Sequence, residues 1–260
     1  MTAAASPDIP RTALVTGAAH RIGRAVALDL AAQGFDVAIH YNRSRDAAAA
    51  LAAEIERGGR RAALLDADLS VENHTAALIG RAAAALGPVG CLVNNASRFD
   101  LDVWDTATRE SWDTHMETNL RAPFLLSQEM ARSLPESAAG VIVNLIDQRV
   151  WNLTPYFLTY TLSKTGLWTL TQTLALALAP RIRVNAIGPG PTLRSERQSE
   201  AQFRMQWDAT PLQHGATPEE IAAGVRFILA APAMTGQMIA LDGGEHLGWA
   251  QPVRGVVTVE

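Results

Sequence analysis

Tyr160 and Lys164 lie four residues apart, in Tyr160-Thr161-Leu162-Ser163-Lys164. The surrounding pattern is helical, so the phenol and the ammonium share one face. An ordinary tyrosine titrates near about 10, and a neighbouring cation favours its phenolate, which brings the proton within reach of acid catalysis at neutral pH. A surface pair is the plain alternative. The apolar run Val141–Ile146 just upstream speaks for a functional one.

A second group of residues suits an anion. Thr16-Gly17-Ala18-Ala19-His20-Arg21-Ile22-Gly23 passes from an apolar run into a helical pattern. Gly17 serves the tight turn, Gly23 the close packing of helix on strand, and the new helix N-terminus presents free N–H groups, with Ile22 beside them. Arg21 holds the place usually given to a middle glycine and is assigned to phosphate and substrate, against the plain reading of a solvated helix residue. The next apolar run ends in His40-Tyr41-Asn42-Arg43-Ser44. A site for NADH would place an acid about 20 residues past the glycine turn. Residues 37–45 contain none, and Arg43, flanked by Tyr41, Asn42 and Ser44, suits a 2′-phosphate. NADPH is therefore the expected cofactor, unless Arg43 and Arg45 merely solvate a helix start. Asp68 and Leu69 follow the third run. Asp68 is a candidate acceptor for the adenine amine, or the N-cap of the next helix.

Positioning these groups requires alternating strands and helices. Seven runs read as strands: Thr12–Thr16, Asp36–His40, Ala62–Asp66, Gly90–Val93, Val141–Ile146, Ile182–Ile187 and Met238–Leu241. Their near-continuous hydrophobicity suits a parallel sheet covered on both faces. Helical patterns occupy about 21–33, 44–57, 71–86, 108–133, 155–179 and 217–230. The last opens on Thr217-Pro218-Glu219-Glu220, an N-cap followed by Pro and Glu. This alternation implies an α/β, Rossmann-type doubly wound sheet in a single domain over 1–260, its core at about 11–248. The stretch from Pro189 to about Gly215 reads as irregular, a functional lid or a disordered loop; Phe203, Met205 and Trp207 favour a lid over a substrate, at 190–215.

With 260 residues, 48% hydrophobic and 18% charged, the chain has the composition of a globular protein rather than a disordered one. A net charge of -4 offers no general attraction to nucleic acid or anionic membrane, so any phosphate site must be local. The single cysteine, Cys91, excludes an internal disulfide and reads as a buried strand residue. The opening MTAAASPDIPRT does not read as a signal peptide, and Leu167–Ala179 is too short and polar to span a bilayer, so the cytoplasm is the expected location. No residue is assigned to a metal.

Taken together, Thr16-Gly17…Gly23, Asn94-Asn95-Ala96, Tyr160…Lys164 and Asn185…Pro189-Gly190 resemble the short-chain dehydrogenase/reductase pattern, in order over essentially the whole chain. The resemblance implies a seven-stranded Rossmann sheet, Tyr160 as proton donor, and Lys164 on the nicotinamide ribose, lowering the tyrosine pKa. It implies a proton relay through Asn119, cofactor contacts from Asn94, Ala96, Pro189, Gly190 and Thr192, and a homotetramer, for which helices 108–133 and 155–179 offer apolar faces.

Thirteen residues before the tyrosine, the family usually places a serine that binds a carbonyl oxygen; here the residue is Asp147. A carboxylate only accepts hydrogen bonds and repels alkoxide-like charge. A substrate with N–H donors and a ring nitrogen to protonate fits better. Asp147, Arg21, the His40–Ser44 run and Asn94-Asn95-Ala96-Ser97-Arg98-Phe99 resemble the pteridine reductase and dihydromonapterin/dihydrofolate reductase branch. That likeness implies Phe99 stacked on a pterin, Ser97 touching pterin and cofactor phosphate, and Asp147 with Tyr160 delivering protons. The residues leave alternatives: Phe99 as loop packing and Asp147 as a cap of the following segment. Arg149, Trp151 and Tyr156 are expected around the same cleft, and the tract Leu247-Gly248-Trp249 over it, with Val256-Val257-Thr258 as a tail. A ketone or quinone reductase, and a non-catalytic NADP(H)-sensing module, stand beside the pterin reading.

Overall fold

Strands that are apolar on both faces leave water only when helices cover them from both sides, and the chain does this throughout. In the computed structural model, which describes residues 8–195 and 197–248, the strands are β1 (Thr12–Val15), β2 (Asp36–Tyr41), β3 (Ala62–Asp66), β4 (Val89–Asn94), β5 (Gly140–Leu145), β6 (Ile182–Pro189) and β7 (Met238–Leu241). They form one sheet in the order β3-β2-β1-β4-β5-β6-β7, with every neighbouring pair parallel. This is the expected Rossmann-type sheet, with ends shifted by a residue or two.

The helices are α1 (Arg21–Ala32), α2 (Arg45–Arg57), α3 (Glu72–Leu86), α4 (Arg109–Met116), α5 (Ala122–Ser133), α6 (Leu158–Leu178), α7 (Glu200–Asp208) and α8 (Pro218–Ala230). One face of the sheet packs Val15, Val37 and Ile39 against Leu30 of α1, Leu51 of α2 and Ile221 of α8. The other packs Leu14, Leu92 and Ile142 against Leu78 of α3, Leu126 of α5 and Leu174 of α6. The order in which strands are added reverses between β1 and β4, so the loops leaving these two parallel strands part and open a crevice at their C-terminal ends.

Two expectations need correction. The helix expected at 108–133 is broken by a π-helical segment, Glu117–Arg121, centred on Asn119. Pro123, in the first turn of α5, has no N–H to continue the α ladder, and a π insertion absorbs the change of register. The 190–215 stretch is not wholly irregular, because it contains α7. Ser199 accepts from the backbone N–H of Gln202, whose side chain reaches back to the Ser199 N–H. That reciprocal cap was legible as Ser-x-x-Gln.

Of the expected C-terminal tract, Leu247 is exposed and ends a short helical turn, Glu245–Leu247, whereas Trp249 and Val256–Thr258 lie outside the described residues. No helix among the described residues is long and apolar enough to cross a membrane.

Candidate active site

The glycine turn is held from below by a histidine. Gly17 takes a left-handed backbone, φ 62°, and its N–H donates to Nδ1 of His40 at 3.0 Å. His40 Nε2 lies 3.2 Å from the Ala67 carbonyl, so the ring is neutral, accepting at one nitrogen and donating at the other. Burial holds its pKa down at about 4. Gly23 has no room for a side chain, because a Cβ there would lie 2.3 Å from the Gly17 carbonyl. Arg21 fills the missing glycine's place at φ 55°, a conformation an L-residue adopts only under constraint. The constraint is visible: its guanidinium donates to the main-chain carbonyls of Leu193 and Arg194, each at 2.9 Å, tying the turn to the segment after β6.

Two clefts run along the C-terminal edge of the sheet and meet at Ser97. The outer one, about 500 Å³, is lined by Gly17, Ala96 and, from β2 and β3, Tyr41, Asn42, Arg43, Ser44, Asp68 and Leu69. Arg43 is exposed there and forms no salt bridge among the described residues. Asp68 is not the N-cap of α3, which is Val71. Its Oδ1 instead accepts from both the N–H and the hydroxyl of Ser70, contacts that hold its pKa low. Asn94 lines neither cleft; it is buried and donates to Asn144 Oδ1 at 2.8 Å between β4 and β5. Its neighbour Asn95 does line the inner cleft, and its amide donates to the Thr16 and Gly17 carbonyls.

The inner cleft, about 470 Å³, gathers Arg21, Ile22, Ser97, Phe99, Asp147, Tyr160, Lys164, Pro189, Gly190 and Thr192. At its floor the Tyr160 hydroxyl donates to Asp147 Oδ2 at 2.8 Å. The other carboxylate oxygen, Oδ1, accepts from the Arg149 N–H at 2.8 Å, so Asp147 also caps the short turn Gln148–Val150. One oxygen thus caps the turn and the other accepts from the Tyr160 hydroxyl. Lys164, the chain's only lysine, is buried and donates to the Leu145 carbonyl at 2.8 Å. Burial lowers its pKa to about 8, against the pull of Asp147. The expected lowering of the phenol is overturned. Burial, followed by the Asp147 charge and the hydrogen bond to it, pushes Tyr160 well above its ordinary value, so the phenol keeps its proton.

Asn119 is fully buried with its amide committed. Its Oδ1 accepts from the Arg98 N–H at 2.8 Å and from the Ser97 hydroxyl at 3.2 Å, while Nδ2 donates to the Arg98 carbonyl and to Ser163 Oγ, each at 3.0 Å. It clamps the loop after β4 onto α6. Phe99 stacks on Phe157, centroids 4.4 Å apart, and meets the edge of Tyr160 at 4.6 Å. Arg149 lines the inner cleft; Trp151 packs on Trp168 and His246 beside it, and Tyr156 points to solvent.

Several contributors escaped the sequence reading. Phe157, Gln148 and Glu245 line the inner cleft, as do Arg197 and Gln206 from the 190–215 stretch, beside the Phe203 already expected there. Asp102 caps α6 from another loop, accepting from the Thr159 N–H at 3.1 Å. Only proximity in three dimensions reveals these.

The profile of a family described as enoyl-(acyl carrier protein) reductase matches residues 17–246. The chain belongs to this short-chain dehydrogenase/reductase family. Among curated relatives, the 3-oxoacyl-[acyl-carrier-protein] reductase FabG of Staphylococcus epidermidis is 31% identical over 242 residues, covering 91% of this chain and 99% of the relative. Among solved structures, FolM alternative dihydrofolate reductase 1 from Brucella suis, in complex with NADP, is 49% identical with a TM-score of 0.90, covering 93% of this chain and 97% of that one. Its counterpart from Brucella canis, also complexed with NADP, is 48% identical with a TM-score of 0.91, covering 97% and 100%. The outer cleft fits the NADP that both FolM structures hold: it has a glycine turn with no space for side chains, and Arg43, Asn42 and Ser44 are available to a 2′-phosphate.

Proposed function

We propose that this NADP-dependent reductase reduces a pterin or dihydropterin/dihydrofolate-type ring, with Tyr160 and Asp147 delivering the proton. The observation that carries the reading is the Tyr160 hydroxyl donating to Asp147 at 2.8 Å on the floor of the inner cleft. Where a carbonyl reductase needs a neutral hydroxyl to meet the growing oxyanion, this site holds a carboxylate, which suits ring N–H groups instead. Bound NADPH supplies the hydride. The chain's own residues hold the proton at Tyr160 Oη, orient the ring by Phe99 and Ser97, and keep Lys164 charged beneath the site. Arg21, beside the glycine turn, contacts both phosphate and substrate, and Asn119 acts by holding the Ser97–Phe99 loop. The likeness to the two FolM structures supports the same substrate class.

The likeness to FabG favours a carbonyl reductase as second reading, and Asp147 argues against it. A sensing module without catalysis would have no use for a buried proton donor. Following NADPH oxidation with dihydropterins, dihydrofolate and simple ketones separates the three. Turnover of the pterins is expected; turnover confined to ketones, or NADPH binding with no turnover at all, overturns the reading.

Domain, assembly and location belong to the same proposal. Residues 11–248 form one folding unit, with 190–215 as its substrate lid. Exposed Trp112, Leu162 and Leu176 on α4 and α6 support a homotetramer, which light scattering would read directly. A free, buried Cys91 suits the cytoplasm.

A further inference from the structure

One titratable group of the inner cleft has no part in the chemistry above. Glu245 lies on the helical turn after β7 and lines the cleft with Asp147, Tyr160 and Lys164. The turn is rigid. Buried Asp242 accepts from the N–H groups of Gly244 and His246, at 3.0 and 2.7 Å, and its Oδ2 lies 2.7 Å from His246 Nδ1. From the opposite side, the Asn152 amide donates to the carbonyls of Glu245 and Gly248, at 3.2 and 2.7 Å. Glu245 is thus fixed in place, half-buried, and forms no salt bridge among the described residues.

The groups facing it are mixed in sign. Asp147 and Arg149 come from the segment after β5, Asp242 and His246 from its own turn, and Gln206 from α7. Burial, then the Asp147 charge, then Asp242, raise its carboxyl to about 7, against Arg149 and Gln206. A group that can both hold and release a proton at neutral pH therefore lines the same cleft as the buried Tyr160–Asp147 pair, close enough to feel the Asp147 charge. Asn119, by contrast, has every amide position engaged and no exposure.

We propose that Glu245 supplies the proton that restores the Tyr160–Asp147 pair after each turnover. This rests on Tyr160 being the proton donor, not on the identity of the ring. During reduction the Tyr160 O–H bond breaks and an N–H bond forms on the substrate, or an O–H bond if the substrate is a carbonyl. A phenolate is left beside the Asp147 carboxylate, an unfavourable pair of anions. The Glu245 O–H bond then breaks, and its proton passes to Asp147 and on to Tyr160. The Glu245 carboxylate recovers a proton from water. No electrons move in these steps, and one solvent proton is consumed per turnover.

The test is Glu245→Gln, close in shape and unable to release a proton, with Glu245→Asp as the conservative variant. Two measurements are made. Wild-type-minus-Gln infrared difference spectra, needing no substrate, should show a protonated carboxyl band that disappears through about 7. Turnover is followed against pH on whichever of a dihydropterin and a ketone the wild type reduces, so a failed pterin assignment leaves the relay testable. Wild-type kcat should fall as pH rises through that range, and the Gln variant should lose this limb and run slower at neutral pH, on the order of 10²-fold. The Asp variant should restore the limb. A superimposable pH profile in Glu245→Gln, or a Glu245 carboxyl already ionised well below neutrality, overturns the proposal.

Discussion

Asp147 divides its work between two oxygens, capping a turn with one and holding the Tyr160 proton with the other. Asp147→Asn keeps the size and one acceptor but removes the charge. Dihydropterin turnover should fall on the order of 10²-fold while NADP affinity, read by fluorescence titration, stays put. Lys164 is protonated below about 8 and loses its charge as pH rises through that value, so activity that depends on the ammonium should decline there, later than any Glu245 limb. A pH profile extended to the alkaline side checks it. Arg43 is the exposed guanidinium of the outer cleft. Arg43→Ala should shift the ratio of kcat/KM for NADPH over NADH towards NADH by about 10- to 100-fold, the worth of one or two hydrogen bonds to a charged group. An unchanged ratio would assign the 2′-phosphate to other donors.

The helix that carries Tyr160 and Lys164 does not cap itself. α6 begins after Phe157, which sits at φ 59° and makes no side-chain cap. Asp102 serves instead: its carbonyl accepts from the Phe157 N–H at 2.8 Å and its carboxylate from the Thr159 N–H and hydroxyl. The Thr159 hydroxyl also lies 2.7 Å from Nδ1 of buried His115, whose Nε2 accepts from the Asp100 N–H. The loop carrying Phe99 and the helix carrying Tyr160 are thereby one unit. Asp102→Ala leaves several buried donors without an acceptor and should cost about 2–4 kcal/mol, measured by urea unfolding. Turnover should fall with it, because Phe99 and Tyr160 lose their common anchor.

Across the whole molecule, stability should depend on pH through His40. Its ordinary pKa is 6.5 and its folded value about 4, so below 6.5 the unfolded chain takes up a proton that the folded one refuses. Stability falls as pH drops from 6.5, and the loss is complete below about 4, amounting to about 3 kcal/mol. Glu245 acts in the opposite sense. Its carboxyl is raised from 4.5 to about 7, so its charge is tolerated less well in the folded state, and stability declines as pH rises between those values. Glu245→Gln should unfold at a higher temperature than wild type above neutrality and show little difference below about 4. Thermal melts across that range would reveal both slopes.

Much of this was readable along the chain because it depends on local chemistry. The period of the hydrophobic pattern is enough to call seven buried strands and their helices. Four-residue spacing suffices to put Tyr160 and Lys164 on one face, and the lack of an acid after β2 to favour a phosphate there. What needed tertiary structure is whatever depends on distance through space. The phenol's pKa direction is the clearest case, since Lys164 is a neighbour in sequence but Asp147 is the partner within hydrogen-bond reach. The same holds for Asp102 at the start of α6, for His40 beneath the glycine turn, and for Glu245, drawn from the far end of the chain into the cleft. Burial and long-range contact set their charges, and neither is encoded in a local spacing.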